Sequence, residues 1–239
     1  MKNIEGQRIP DVTLRTRKDG QWKDVTTSEI FGKKKIVVFA LPGAFTPTCS
    51  SAHVPRYQEL APAFKARGID SIVCLSVNDA FVMDEWAKNQ HADAITFLPD
   101  GNGELSEKLG MLVDKRSIGF GKRSWRYSML VEDGVIKKMF IEPEKDGDPF
   151  EVSDADTMLK HLDPTAKPPR DVLMFTKPGC SFCTKAKKLL GDKGWAYEEV
   201  ASSPRNLRAV SGKGTTPQVF INGQYVGGSE ELESYLAKQ

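Results

Sequence analysis

Ile36-Val37-Val38-Phe39-Ala40-Leu41-Pro42-Gly43-Ala44-Phe45-Thr46-Pro47-Thr48-Cys49 is the stretch that decides how the rest of the chain is read. Six consecutive apolar residues, rich in β-branched side chains, predict a strand buried on both faces. Pro42-Gly43 breaks that strand. Beyond Cys49, residues Tyr57, Leu60, Ala61 and Phe64 recur at helical spacing and predict a helix reaching Gly68. Cys49 therefore stands where a strand hands over to the first turn of a helix. The unpaired N–H groups and positive dipole end at such a point favour a thiolate over a thiol, so a reactive cysteine is expected.

The same arrangement recurs. Asp171-Val172-Leu173-Met174-Phe175-Thr176 predicts a short strand, Lys177-Pro178-Gly179 a turn, and Cys180-Ser181-Phe182-Cys183 the opening of a helix through Leu189-Leu190. Between the two copies lies Asp163-Pro164-Thr165-Ala166-Lys167-Pro168-Pro169, whose prolines predict a semi-rigid spacer. The expected organisation is a first domain over residues 1–163, a linker over 164–170 and a second domain over 171–239. The second is small, near the lower limit for independent folding.

Outward from the first cysteine, strands alternate with helices. Strands are expected at Val12–Thr16, Ile69–Val77 and Ile95–Leu98. Helices are expected at Thr27–Phe31, Phe81–Gln90 and Leu105–Leu109, and a turn at Lys18-Asp19-Gly20. This alternation predicts an α/β sheet with parallel neighbours. Residues 116–123 read as a loop. Trp125–Val131 and Val135–Ile141 flank Asp133-Gly134 as a hairpin, with Ser153 expected to cap the next helix. In the second half, strands are expected at Tyr197–Val200, Val219–Ile221 and Tyr225-Val226. A helix is expected near Leu207–Val210, and a final one begins at Glu230 with Ser229 as its N-cap.

Composition narrows the function. The 239 residues carry a formal charge of +2, which argues for neither nucleic acid nor an anionic membrane as partner. The one dense basic run, Lys33-Lys34-Lys35, reads as a solvated turn. The start, Met1-Lys2-Asn3-Ile4-Glu5-Gly6-Gln7, lacks the apolar core of a signal peptide, and no apolar run is long enough to span a bilayer. A cytoplasmic protein is expected, in which four cysteines are catalytic or structural and not a disulfide framework. A single Cys-x-x-Cys without a second pair makes a poor zinc site, so no metal is expected.

Around Cys49, Thr46 lies three residues upstream, where its hydroxyl can sit beside the sulfur, and Pro42 can shield one side. A cation is needed to hold the thiolate, and Arg123 and Arg126 are the candidates. Alternation puts Trp125 and Tyr127 on one face of the expected strand and Arg126 on the other. His53, one helical turn past Cys49, reads as a packed or hydrogen-bonded histidine. His91 and His161 read as surface residues, and Asp100-Gly101-Asn102-Gly103 as a turn. Cys74, whose neighbours Val73 and Leu75 face the other way, reads as a buried core cysteine.

Pro42-x-x-x-Thr46-x-x-Cys49 resembles the peroxidatic motif of peroxiredoxins. The longer Pro-Gly-Ala-Phe-Thr-Pro-Thr-Cys-Ser is similar to the type-5 subfamily, as are Leu75–Val82 and Arg123–Ser128. This resemblance covers roughly residues 4–163. It implies Cys49 as the peroxide-attacking thiolate, completed by Pro42, Thr46 and Arg126, in a thioredoxin-like fold that forms homo-oligomers, dimers or tetramers. Many peroxiredoxins resolve the oxidised cysteine within the same domain. With Cys74 buried, this one has no such thiol, and its reductant must come from elsewhere.

Thr176–Cys183 resembles the glutaredoxin active site, Thr215-Thr216-Pro217-Gln218-Val219-Phe220-Ile221 that family's cis-proline segment, and Gly227-Gly228-Ser229-Glu230-Glu231-Leu232 its glycine-glycine motif. Phe182 stands where a tyrosine is common and Thr216 where a valine is common. The resemblance implies a second thioredoxin-like domain that uses glutathione. Cys180, at a helix start beside Lys177, is favoured as a thiolate. A cis-proline at 217 leaves the Thr216 backbone free to pair with an extended peptide such as glutathione. The N-terminus around Gly228 and Ser229 can hold one carboxylate of that peptide and Lys177 another, with Phe182 beside them. One cysteine suffices to attack a glutathione mixed disulfide, which leaves the need for Cys183 open.

The implied protein is a fusion, mixed α/β in both halves. It reduces hydrogen peroxide and alkyl hydroperoxides at Cys49 and is recycled by glutathione through Cys180. Glutathione, regenerated by glutathione reductase, is its co-substrate, and no group is bound tightly. Two rivals stand beside this reading. One is a thiol–disulfide oxidoreductase for glutathionylated proteins, with the first domain as a targeting module. The other is a non-enzymatic peroxide sensor.

Overall fold

The computed structural model describes every residue except 19, 146, 167–169, 196 and 239. Asp19 of the expected turn and residues 167–169 of the expected linker thus lie outside the described residues. The chain forms two compact units, Met1–Pro168 and Pro169–Gln239.

The first unit opens with a hairpin, β1 (Thr13–Lys18) and β2 (Gln21–Thr26). Sequence reading found β1 and missed β2, four of whose six residues are exposed, so no alternation of apolar residues marks it. α1 (Thr27–Phe31) follows, closed at its N-terminus by a capping box between Thr26 and Glu29. The centre of the unit is β3 (Lys35–Leu41), with α2 (Val54–Lys65), β4 (Ser71–Ser76), α3 (Ala80–Asn89), β5 (Ile95–Pro99) and α4 (Glu104–Lys108) after it. The stretch read as a loop is bordered by two short paired strands, β6 (Leu112–Asp114) and β7 (Lys122–Ser124). Then come β8 (Tyr127–Glu132), β9 (Val135–Ile141) and α5 (Ala155–Leu162). The cap of α5 is Asp154, which accepts from the Thr157 amide, and not Ser153. Ser153 is buried and committed elsewhere.

The five-stranded sheet has the order β5-β4-β3-β8-β9, so β3 is its middle strand. β3 pairs parallel with β4 and antiparallel with β8, which makes the sheet mixed. The six-residue apolar run is explained by this position. Val37, Phe39 and Leu41 enter the core that holds Cys49, Tyr57, Phe64 and Trp86. Ile36, Val38 and Ala40 enter the opposite core with Leu75, Tyr127 and Met129. A strand covered on both faces has no polar side to alternate with. Cys74, opposite Phe39 in the ladder, faces the first core and is fully buried, while Val73 and Leu75 face the second.

The second unit contains β10 (Val172–Thr176), α6 (Ser181–Asp192), β11 (Glu198–Ala201), α7 (Pro204–Ser211), β12 (Gln218–Ile221), β13 (Gln224–Gly227) and α8 (Ser229–Leu236). Its sheet has the order β11-β10-β12-β13 and is also mixed. Val172, Met174, Leu190, Val219 and Leu232 form its core. The cap of α8 is Gly228, so Ser229 is its first residue and not its cap. Among the described residues no helix is long and apolar enough to cross a membrane.

Candidate active site

The turn that delivers Cys49 is wider than an α-helix. Residues Cys49–His53 form a π-turn, in which the Val54 amide donates to the Cys49 carbonyl five residues back. Pro55 has no N–H for the Ser51 carbonyl, so an α ladder cannot run unbroken through this turn. The sequence shows the proline but not the widened turn. Cys49 and His53 are both fully buried against β3, where the His53 ring sits 4.8 Å from Phe39.

Arg126 comes from the other side. It precedes β8 by one residue and lies in the crossover from β7, so the expectation that it sits on a hairpin strand is corrected. Its carbonyl accepts from the Glu142 amide at 3.1 Å, and the neighbouring Trp125 indole donates to the Glu142 carbonyl at 2.9 Å. Anchored on both sides, the guanidinium is only 1% exposed. Its Nη1 lies 3.5 Å from Cys49 Sγ and donates to His53 Nδ1 at 3.1 Å. Its Nη2 donates to Asp148 at 2.5 Å. Arg123 is used otherwise: it donates to the carbonyls of Val77 and Phe120. Of the two candidate cations, Arg126 is the one bonded to the sulfur.

His53 is a link in this arrangement. Its Nε2 is 3.2 Å from the Ser153 carbonyl, which can only accept, so Nε2 carries the proton and Nδ1 is the acceptor for Arg126. Burial, and after it the Arg126 charge, pull the imidazole from its usual 6.5 to about 3, so it stays neutral at working pH. Burial alone would lower Arg126. The nearby Cys49 and Asp148 charges outweigh it and raise the guanidinium further.

The support continues behind His53. The Ser153 carbonyl also accepts from the Tyr57 hydroxyl at 3.0 Å. Ser153 is fixed in turn by the buried Glu142 carboxylate, which accepts from its amide and hydroxyl and from the amides of Glu151 and Val152, all at 2.7–2.9 Å. Glu142 and Asp148 were not singled out by sequence reading, and Ser153 was read only as a helix cap. They lie in a polar stretch without periodicity, and nothing local distinguishes these acids from surface ones.

Pro42, Thr46 and Arg126 line a cavity of about 930 Å³, walled also by Ile118, Phe120 and Asp148. The Thr46 hydroxyl donates to the Gly43 carbonyl at 2.9 Å, which leaves its lone pairs as acceptors. Cys74 is held inert by burial, which pushes its thiol well up. His91 and His161 are exposed, as expected. Asp100 is buried in its turn, accepting from the Leu105 and Ser106 amides.

In the second unit, Cys180 is the N-cap of α6, and its sulfur accepts from the Cys183 amide at 3.1 Å. Cys180 is half-buried, Cys183 is buried, and a disulfide joins them, with Cα atoms 5.2 Å apart. The Thr216–Pro217 bond is cis. The Thr216 hydroxyl lies 3.4 Å and its carbonyl 3.6 Å from the Cys180 sulfur. Lys177 shares a cavity of about 420 Å³ with Cys180. Phe182, Thr216, Pro217, Gly228 and Ser229 line a second one of about 170 Å³. The structure thus brings the expected residues to two cavities, Lys177 to one and the other five to its neighbour.

Two residues here have roles that sequence reading did not assign. Gln218 is fully buried, and its amide holds the Lys213 and Thr215 carbonyls at 2.7 and 3.1 Å, which fixes the loop before Pro217. Glu231 accepts from the Gly228 amide at 2.9 Å, so that amide is already taken. The amides of Glu231 itself and Gly228 hold its carboxyl below the usual range. Gly227 has φ +136, and a Cβ there would lie 2.6 Å from the Glu231 side chain, so only glycine fits. Among the described residues no cluster of histidine, cysteine and acids could hold a metal.

Comparison with known proteins agrees with this division. A redoxin family model matches residues 4–159 and a glutaredoxin model residues 172–226. The chain is 58% identical over 241 residues to the hybrid peroxiredoxin hyPrx5 of Haemophilus influenzae, covering 99% of this chain and 100% of that protein. It is 57% identical over 169 residues to a peroxiredoxin of Synechocystis, covering 65% of this chain and 89% of the other. Among solved structures it is similar to reduced Prx3 of Vibrio vulnificus in complex with hydrogen peroxide. There the TM-score is 0.64 at 42% identity, over 68% of this chain and 100% of that one.

Proposed function

The chain belongs to the redoxin family and is a thiol-dependent peroxidase carrying a glutaredoxin domain, and from that premise we propose the cycle its residues carry out. The Cys49 thiolate attacks one peroxide oxygen. The S–O bond forms, the O–O bond breaks, and the departing hydroxide or alkoxide is protonated and leaves as water or alcohol. Arg126 holds the thiolate and polarises the O–O bond through donors it does not spend on His53. Pro42 and Thr46 wall the approach, with the Thr46 hydroxyl as acceptor for the peroxide proton.

Glutathione then condenses with the sulfenic acid, releasing water and leaving a mixed disulfide on Cys49. The Cys180 thiolate attacks the glutathione sulfur and frees Cys49. A second glutathione displaces the first from Cys180, giving glutathione disulfide. Overall, one peroxide and two glutathiones become water, water or alcohol, and glutathione disulfide. The observation carrying this reading is a cavity-lining guanidinium within 3.5 Å of a fully buried cysteine. Phe182, Thr216, Pro217 and Ser229 line the glutathione site, with Lys177 at its edge.

Glutathione is the reductant, and glutathione reductase regenerates it. No metal or organic group is bound tightly. The protein works in the cytoplasm, where glutathione is supplied, as a homo-oligomer. Phe45 and Phe81, each 53% exposed, support the oligomer, because large apolar side chains held in water are the kind a second copy covers.

Intact-mass analysis tests the cycle. Cys180→Ser treated with one equivalent of peroxide and then glutathione accumulates a glutathione adduct on Cys49, while wild type passes through it. An adduct that fails to accumulate, or that maps to Cys74, overturns the reading.

A further inference from the structure

Arg126 has five N–H donors, and their assignment is uneven. Nη1 serves Cys49 and His53. Nη2 donates to one oxygen of Asp148. Nε, on the same edge of the guanidinium as Nη2, is buried and has no partner among the described residues. A carboxylate facing that edge squarely would take both donors. Asp148 takes one. The side chain of Asp148 is 41% exposed while that of Arg126 is 1% exposed, so Asp148 is the solvent-side cover of the catalytic cation. It also lines the peroxide cavity.

The other charges at this rim are largely engaged. Asp114 pairs with Arg116, Lys145 with Glu151, and Glu144 with the Met1 amine. Lys115 lies over the Trp125 ring. Among the described residues, Asp148 is thus the one rim carboxylate bonded to the guanidinium that must meet the substrate.

We propose that Asp148 is a specificity-determining residue that makes the peroxidase select neutral peroxides over anionic ones. A neutral peroxide enters beside Asp148 and reaches the guanidinium without meeting a like charge. An anionic peroxide meets a second negative charge on the same guanidinium edge and must displace it. The inference rests on the Cys49–Arg126 reading above.

The test measures how fast reduced full-length protein is oxidised in a single turnover, by stopped-flow tryptophan fluorescence at one fixed neutral pH. The neutral probe is hydrogen peroxide. The anionic probe is peroxymonosulfate, on which the thiolate forms the same S–OH bond while sulfate departs with the O–O electron pair. Removing the Asp148 charge, which the guanidinium links to Cys49 through contacts of 2.5 and 3.5 Å, is expected to raise the anionic-to-neutral rate ratio about tenfold. Asp148→Asn should therefore show that rise at low salt and a smaller one at high salt, and Asp148→Glu should keep the wild-type ratio. A ratio unchanged in Asp148→Asn overturns the proposal. So does Asp148→Glu behaving like Asp148→Asn, because the carboxylate charge would then not matter. Cys49→Ser, run alongside, should abolish the signal with both probes. A signal surviving in it refutes the underlying site reading instead.

Discussion

His53 gives the most quantitative test of how the site is built. The ring is fully buried with one nitrogen on the Ser153 carbonyl and the other under Arg126, so a proton on it has no place to go. Unfolded, the same histidine titrates near its usual 6.5, and folded it titrates at about 3. Between those values the unfolded chain binds a proton that the folded one refuses, so stability is fully present above pH 6.5 and falls as pH drops toward 3. Each pH unit in that window costs about 1.4 kcal/mol, so acidifying from neutral to about pH 4.5 removes about 2.7 kcal/mol.

For a unit of this size that corresponds to a drop of about 5–10 °C in melting temperature. The perturbation is His53→Gln, whose amide can donate to Ser153 and accept from Arg126 but does not titrate. The assay is thermal unfolding in a Trp195→Phe background, so that Trp22, Trp86 and Trp125 report on the first unit alone. Surface carboxylates contribute equally to both proteins, and the difference between them isolates His53. Parallel acid profiles for wild type and His53→Gln would refute the claim that folding holds this ring neutral.

Other consequences follow from the same network. Arg126→Met should lower the rate constant for Cys49 oxidation by about a hundredfold, as read by stopped flow, with secondary structure by circular dichroism unchanged. Glu142→Gln keeps one oxygen for the Val152 and Ser153 donors but sets its N–H₂ against the Glu151 amide, so it should cost about 1–3 kcal/mol in urea unfolding. It should slow peroxide attack as well, through the Ser153 carbonyl. Cys74→Val should cost less than about 1.5 kcal/mol and leave turnover unchanged, because Cys74 serves as core packing.

The architecture was largely legible in sequence because its two decisive strands carry continuous apolar runs that end in Pro-Gly and a cysteine. Burial on both faces of β3 produces such a run, and few other positions do. What escaped were elements without a hydrophobic signature: the exposed β2, the three-residue β6 and β7, and the π-turn at Cys49. Around the site, Cys49, Arg126 and Cys180 were marked by motif. Asp148 meets Arg126 across 22 residues of sequence and Ser153 meets His53 across 100, with Glu142 acting through Ser153, and no local pattern encodes such distances. The caps assigned to Ser153 and Ser229 failed for a related reason. Both are serines beside a helix start, but Asp154 and Gly228 hold the cap positions, while Ser153 is taken by Glu142.

The central claim is that one chain couples peroxide reduction at Cys49 to glutathione through Cys180. The most direct measurement is peroxide-dependent NADPH loss with glutathione and glutathione reductase, for wild type, Cys49→Ser, Cys180→Ser and Cys183→Ser. The account predicts turnover in wild type and in Cys183→Ser, and collapse in Cys49→Ser and Cys180→Ser. Full activity in Cys180→Ser would contradict it, because glutathione would then recycle Cys49 without the second domain.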